Sequence, residues 1–317
     1  MAWGAVSGRS AEIAGALGGE SRCFYPPGEG ARPPVLVRYL LSTVRTIDYL
    51  VRVRPDLVIV TNPPVVAACV ALAWARRSGA SVVLDSHPGG FGAQSDTVSA
   101  RLQWLHRWLV RRVDLTMVTA DGFCRQVESW GGTAVIVHEA PGSWVPLPPA
   151  RHSRPRILCV GRFAGDEPVD VVFAAAALAP ECDFLVTGNV ADCPTHLRAS
   201  APGNVTLAGF LGPDDYRAAV SEASMLLTLT TEPLSVMRAA YEAVYAGRPV
   251  IVSDWPINRE LFADAVHVGH RAEDLAAGIE RLLANYEDAL ARTGPARERQ
   301  LARWEAQRSA LLEVAAS

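Results

Sequence analysis

Short β-branched runs and longer stretches of helical period alternate along the chain. In the first half, residues 57–60, 81–84, 115–119 and 133–137 are apolar runs of strand length, while 65–77, 99–112 and a segment near 122–130 carry helical spacing. Ahead of them, Val35–Val53 repeats at a helical period that places Leu36, Leu40, Val44, Ile47 and Val51 near one face. The opening is abrupt: residues 1–6 are just long enough for a first strand, as a truncated start would be. Residues 8–17 then form a helix stopped by Gly18-Gly19, and 23–25 a second strand.

Residues 140–149 are too rich in proline for an element and too long for a tight turn, so the domain boundary falls there. The alternation then restarts. Strands are predicted at 157–160, 184–186, 205–207, 224–228 and 249–253, with helices near 169–178, 214–223 and 273–290. After Gly294-Pro295 comes a last helix, 296–315. Strand and helix in turn build parallel sheets covered on both faces. The expected fold class is therefore α/β, with two Rossmann-like doubly wound domains at 1–143 and 154–295 and a terminal helix at 296–317.

Composition agrees and removes several functions. A chain of 317 residues, half of them hydrophobic, exceeds the ~250–300 at which single cores usually split. A net charge of -3 supplies no general basic field, so no nucleic-acid partner is expected. All 30 Lys+Arg residues are arginine, which excludes a lysine nucleophile, a Schiff base or a P-loop lysine. Cys23, Cys69, Cys124, Cys159, Cys182 and Cys193 show no CxxC pair and read as buried thiols of a reducing compartment. No run approaches the ~18 apolar residues that would span a bilayer, and no leader pattern opens the chain, so the expected location is the cytoplasm.

The most informative stretch is 228–261, which reads as strand end, loop, helix, turn and strand. A loop that opens a helix at the carboxyl end of a parallel strand presents free N–H groups and a positive dipole end, which suits a phosphate. Arg238 and Glu242 lie four apart on that helix, so a guanidinium and a carboxylate share one face. Glu242-Ala243, then Gly247-Arg248-Pro249-Val250-Ile251-Val252-Ser253-Asp254, then Glu260, resemble the nucleotide-sugar site of GT-B-fold glycosyltransferases of family 4. In that family two glutamates are separated by seven residues. Glu242 matches the second; Leu234 occupies the place of the first, with Glu232 two residues early. Ser235 and Val236 complete the donor-side loop.

The resemblance extends to other loops. Gly161-Arg162 follows the first strand of the second half, where the family pairs a phosphate-binding arginine with a lysine; here Glu167 stands near the lysine position. From the residues alone, Arg162 is either a pyrophosphate ligand or a surface cation paired with Asp166. Gly188-Asn189 and Gly209-Phe210-Leu211-Gly212 fall where the family holds base and ribose. In the first half, Gly8-Arg9-Ser10, Asn62-Pro63-Pro64 and Asp85-Ser86-His87 look like those of bacterial members, with Gly89 and Gly90 allowing close approach of a ligand. His87 either orients a sugar hydroxyl or bonds its own turn. The predicted helix at 99–112 sets Trp104, Leu105, Trp108 and Leu109 among Arg101, Arg107, Arg111 and Arg112, which fits core packing or an interfacial helix for a lipid-linked acceptor.

The resemblance implies a GT-B enzyme whose terminal helix returns to the first domain. It would move a sugar from a nucleoside diphosphate donor, a UDP-sugar, to an acceptor hydroxyl with retention. His87, Arg162 and Arg238 are the implied catalytic residues, and Gly8, Arg9, Ser10, Asn62, Gly89 and Gly90 the acceptor side. No Asp-x-Asp motif or His–carboxylate cluster is visible, so neither metal nor cofactor is expected. The acceptor is a small molecule or lipid-linked, the latter with peripheral contact at the inner face of the membrane. Two alternatives stay open: a sugar-nucleotide epimerase of the same fold, and a catalytically silent GT-B accessory protein, for which Leu234 and Glu167 speak.

Overall fold

The computed structural model describes residues 1–4, 7–24, 34–92, 101–148 and 152–316. The chain divides into two compact units, Met1–Gly142 with Arg303–Ser317, and Ser143–Ala302.

In the first unit four parallel strands, β1 (Leu57–Asn62), β2 (Ser81–Ser86), β3 (Leu115–Val118) and β4 (Ala134–Ile136), stand side by side in chain order. Helices α1 (Gly8–Ala16), α2 (Val35–Val53), α3 (Val65–Ser78), α4 (Gln103–Val110) and α5 (Asp121–Ser129) flank them. Local chemistry sets their ends. The Ser7 hydroxyl accepts the Ser10 N–H and caps α1, while Gly79 closes α3 at φ +80°, where a side chain would be strained. Ile13 of α1 packs with Val83, Leu115, Met117, Trp304 and Leu311 in one core cluster.

The expected first and second strands shrink to one parallel bridge between Ala2 and Cys23. Bends at Trp3 and Gly4 end the pairing, and Val6 and Tyr25 lie outside the described residues. Cys23 is also exposed, whereas four of the six thiols are buried as expected. Helix α2 has the predicted bounds, and the face that carries its apolar stripe points outward. Its buried residues are Ser42, Thr46 and Leu50, whereas Leu36, Leu40, Val44, Ile47 and Val51 are exposed. The two buried hydroxyls are satisfied by specific partners: Ser42 donates to the Phe24 carbonyl at 2.8 Å, and Trp3 Nε1 donates to Thr46 at 2.9 Å.

The second unit carries a six-stranded parallel sheet in the order β10-β9-β8-β5-β6-β7. Its strands are β5 (Arg156–Cys159), β6 (Asp183–Thr187), β7 (Val205–Gly209), β8 (Met225–Thr228), β9 (Val250–Ser253) and β10 (Val266–Val268). Helices α6 (Val169–Leu178), α7 (Thr195–Ala199), α8 (Pro213–Glu222), α9 (Arg238–Tyr245), α10 (Pro256–Leu261) and α11 (Ala272–Ala284) accompany them. Every residue of β8 and β9 is buried, because adjacent side chains enter opposite faces: Met225 and Leu227 join one core cluster, Leu226 a second. Burying one such side chain contributes about 1.5–3 kcal/mol. The strand order reverses between β5 and β8, and the loops leaving these strands frame the crevice where open α/β sheets take ligands.

The expected break at Gly294-Pro295 is absent. Helix α12, Tyr286–Ala316, runs through Pro295, and the helical interruption falls instead at Asn285. Proline removes one ladder bond, but burial of Gln300, Trp304 and Leu311 holds the helix together beyond it.

Candidate active site

In the first unit the loops after β1 and β2 meet the start of α1 around a buried charge cluster. Arg9, 4% exposed, donates from Nε to Asp85 Oδ1 at 3.1 Å, from Nη1 to Glu139 Oε1 at 2.9 Å and from Nη2 to the Val137 carbonyl at 2.8 Å. Burial alone would raise the Asp85 carboxyl, but the Arg9 and His87 charges pull it well below the usual carboxylate range. Burial would likewise lower Arg9, and Asp85 and Glu139 outweigh it.

Among the described residues the ring of His87 makes no hydrogen bond within the turn that follows it. Its Nε2 stands 3.4 Å from Asp85 Oδ2 with the side chain about one-third exposed, while its backbone N–H donates to the Asn62 carbonyl at 2.9 Å. Asn62 and Gly90 belong to the support of that loop. Asn62 Nδ2 donates to Ser86 Oγ at 3.2 Å, Ser86 Oγ meets His106 Nε2 at 3.0 Å, and His106 Nδ1 meets the Gly90 carbonyl at 2.9 Å. A neutral His106 with its proton on Nδ1 satisfies both contacts, and burial lowers its pKa to about 4. A Cβ on Gly90 would meet Asn62 Nδ2 at 2.8 Å. Ser10 Oγ lies 3.1 Å from Thr61 Oγ1, so Gly8, Arg9 and Ser10 join the same loop cluster, while Gly89 lies in the 3-10 turn Pro88–Phe91 that follows His87. Within the other predicted segment Leu109 is buried and Trp104 is 64% exposed; residues 99 and 100 lie outside the described residues.

In the second unit the loop after β5 carries Gly161 and an exposed Arg162. Glu167 Oε2 folds back to accept the Arg162 N–H at 2.8 Å and the Ala164 N–H at 3.3 Å, and burial pushes this carboxyl up. Asp166 pairs with the loop after β8: Thr230 Oγ1 donates to its carboxylate at 2.9 Å and the Thr231 N–H to its carbonyl at 2.8 Å. That second loop is braced from behind, the Thr230 N–H donating to Ser253 Oγ at 2.8 Å and Trp255 Nε1 to the Thr230 carbonyl at 2.9 Å. Phe163 adopts φ 60°, a conformation that strains a bulky residue, and its ring leaves no room for a Cβ on Gly188, which it would approach to 2.9 Å. A hollow lined by Gly161, Phe163, Glu167, Thr187 and Leu229 opens beside this contact.

Beyond the loop, α9 starts at Arg238 with no side-chain cap. Glu242, 8% exposed, is engaged at both oxygens: Arg238 Nε donates to Oε1 at 2.7 Å and the Tyr216 hydroxyl to Oε2 at 2.6 Å. Glu232 is half-buried and its N–H donates to Thr230 Oγ1 at 3.2 Å; Ser235 and Val236 are half-buried, and Leu234 is 42% exposed. Phe210 stands 79% exposed past the end of β7, followed by a half-buried Leu211; Asn189, past β6, binds Asp192 at 3.0 Å. Tyr216 and Thr230 were missed as site residues. Neither has a sequence signal, since each is defined by a partner far along the chain. Among the described residues no group of three or more His, Cys, Asp or Glu could hold a metal ion.

Two units, each a parallel sheet flanked by helices with ligand-sized loops at the carboxyl ends of its strands, are of the doubly wound α/β class. Residues 154–285 match the family model of glycosyl transferases group 1, and residues 8–143 that of the glycosyl transferase 4-like domain, so the chain belongs to the GT-B glycosyltransferases. It is similar in structure to sucrose-phosphate synthase from Thermosynechococcus elongatus, at 17% identity and TM-score 0.71, covering 92% of this chain and 81% of that one. Anabaena Alr3699/HepE in complex with UDP-glucose gives 14% identity and TM-score 0.66, with 90% and 86% covered. The catalytic domain of starch synthase IV from Arabidopsis thaliana, bound to ADP and acarbose, gives 11% and 0.62, with 88% and 76% covered. At these identities the likeness establishes the fold. No curated protein matches the sequence.

Proposed function

We propose that the chain transfers a sugar from a UDP-sugar to an acceptor hydroxyl, with retention and without a metal ion. The observation that carries this is the crevice of the second unit, where an exposed Arg162 and the uncapped start of α9 stand at the strand-order reversal beside Glu242. The complex of Alr3699/HepE with UDP-glucose supports a UDP-sugar as donor. In the reaction the bond from the anomeric carbon to the diphosphate oxygen breaks and the acceptor oxygen bonds to the same face of that carbon. The acceptor's proton passes to the leaving diphosphate. Arg162, the α9 dipole and Arg238, turned from Glu242, would stabilise the charge that grows on the diphosphate. Glu242 would accept from the ribose hydroxyls, and His87, oriented by Asp85, would hold a sugar hydroxyl. The acceptor is a small molecule or a lipid-linked hydroxyl, the latter reached by peripheral contact with the inner face of a membrane.

Titration calorimetry with UDP, followed by donor turnover in excess chelator, tests this reading. Binding with turnover that survives EDTA supports it; activity lost to EDTA and restored by magnesium or manganese removes the metal-free account. A new sugar nucleotide formed without acceptor would identify an epimerase.

Three observations favour the silent accessory reading. Glu242 is occupied by Arg238 and Tyr216, Glu167 covers two loop N–H groups, and Leu234 replaces an acid. Absence of UDP binding by a folded chain would decide for it.

A further inference from the structure

Helix α2 lies in its unit with its apolar stripe outward. Leu36, Leu40, Val44, Ile47 and Val51 are 82, 64, 58, 43 and 51% exposed. At 3.6 residues per turn they fall within an arc of about 80°, and they run about 22 Å along the axis. Val37 and Leu41, also exposed, widen the arc on one side. Past that edge Arg38, Arg45 and Arg52 repeat every seven residues and form a single row.

The charge around the stripe is equally one-sided. Helix α2 packs on α3, and α3 on α4, so the three share a layer. Helices α2, α3 and α4 of this layer hold six arginines and one acid, Asp48, in a chain whose net charge is -3. Asp48 is itself paired with Arg52. Five of the six are exposed, Arg38 being half-buried, and Trp104 stands exposed on α4.

We propose that the outer face of α2 docks on an anionic lipid bilayer. The apolar stripe enters the boundary between headgroups and acyl chains, and the exposed arginines of the row, Arg45 and Arg52, reaching along their own methylene stems, meet lipid phosphates. A second copy of the chain fits the same face poorly, because it would bring two arginine-rich layers together. Nothing in this depends on the donor site, so a failed lipid assay leaves the transferase reading untouched.

Co-sedimentation of the full chain with vesicles of phosphatidylcholine, alone or mixed with phosphatidylglycerol, is the test. Binding to the mixed vesicles is expected to exceed binding to the neutral ones by at least about tenfold. The surface double variant Leu40→Glu with Ile47→Glu should abolish binding while circular dichroism stays that of the parent. Arg45→Glu with Arg52→Glu should remove the preference for phosphatidylglycerol. No binding of the parent to mixed vesicles, or binding unchanged in the Leu40/Ile47 variant, overturns the proposal. So does a dimer in sedimentation velocity that the same variant dissolves, which would make a second copy the occupant.

Discussion

The loop clusters of the two units are built from opposite materials. Around Arg9 in the first unit, formal charges are buried and matched, with the guanidinium held by Asp85, Glu139 and a carbonyl. Around Asp166 in the second, hydroxyls and backbone groups do the joining, and the cation of the loop, Arg162, is left exposed. The first arrangement fixes His87 at the cost of desolvating several charges. The second keeps its charge available and stores strain at Phe163 instead, a cost of about 1–3 kcal/mol. A locked cluster and a poised one suit a positioning role and a ligand-binding role respectively.

The contrast breaks most sharply at Arg9. Arg9→Ala would leave two buried carboxylates without their cation and should destabilise the first unit by about 3–5 kcal/mol, read from the denaturant midpoint. A loss under about 1 kcal/mol would mean the cluster is solvated and not locked. Acid should act next. His106 has a folded pKa of about 4, below the unfolded ~6.5, so the unfolded chain takes up the proton first. Stability is then flat above about pH 6.5 and falls as the pH drops towards 4, by about 3 kcal/mol in all. His138, lowered to about 3 mainly by burial, adds in the same direction, and below about pH 5 Asp85 steepens the fall, because the unfolded carboxylate takes up a proton that the folded one, held low by Arg9, still refuses. The slope should flatten in His106→Gln; an unchanged slope would place the titration elsewhere.

The smallest effects belong to the second unit, where ligand binding and not folding is the readout. Glu242→Ala should weaken UDP binding by at least about tenfold, as a charge-assisted hydrogen bond worth roughly 1.5–3 kcal/mol requires. Unchanged affinity in calorimetry would leave Glu242 as a structural partner of Tyr216. Arg238→Lys should lower turnover only a few-fold, since an ammonium keeps the charge but lacks the planar fork; full activity would make Arg238 merely the partner of Glu242.

Most of the order of strands and helices is legible in the sequence because it rests on local period, and α2 even has its predicted bounds, but the short elements β10, α7 and α10 carry too few residues to show a period and are not predicted. What α2 buries is not legible. Ser42 and Thr46 can turn inward only because Phe24 and Trp3 supply their hydrogen bonds, and periodicity carries no information about such partners. The same limit applies at the site. Arg238 and Glu242 announce themselves by spacing, whereas Tyr216 reaches Glu242 from another helix. The sequence leaves a pairing of Arg162 with Asp166 open as the alternative to a phosphate ligand, and Thr230, far along the chain, is what holds that carboxylate. Gly294-Pro295 misled for a related reason, since tertiary burial outweighs one missing ladder bond.

The bonds from Thr230 and Thr231 to Asp166 also have a kinetic meaning. Two loops that leave different strands are joined by these bonds, so a displacement of one is expected to carry the other with it. Relaxation dispersion on the amides of Arg162 and Glu232 should therefore return one shared exchange rate in the microsecond-to-millisecond range. A ligand arriving in this crevice would then meet two loops that respond together, and one rate would describe their answer to it.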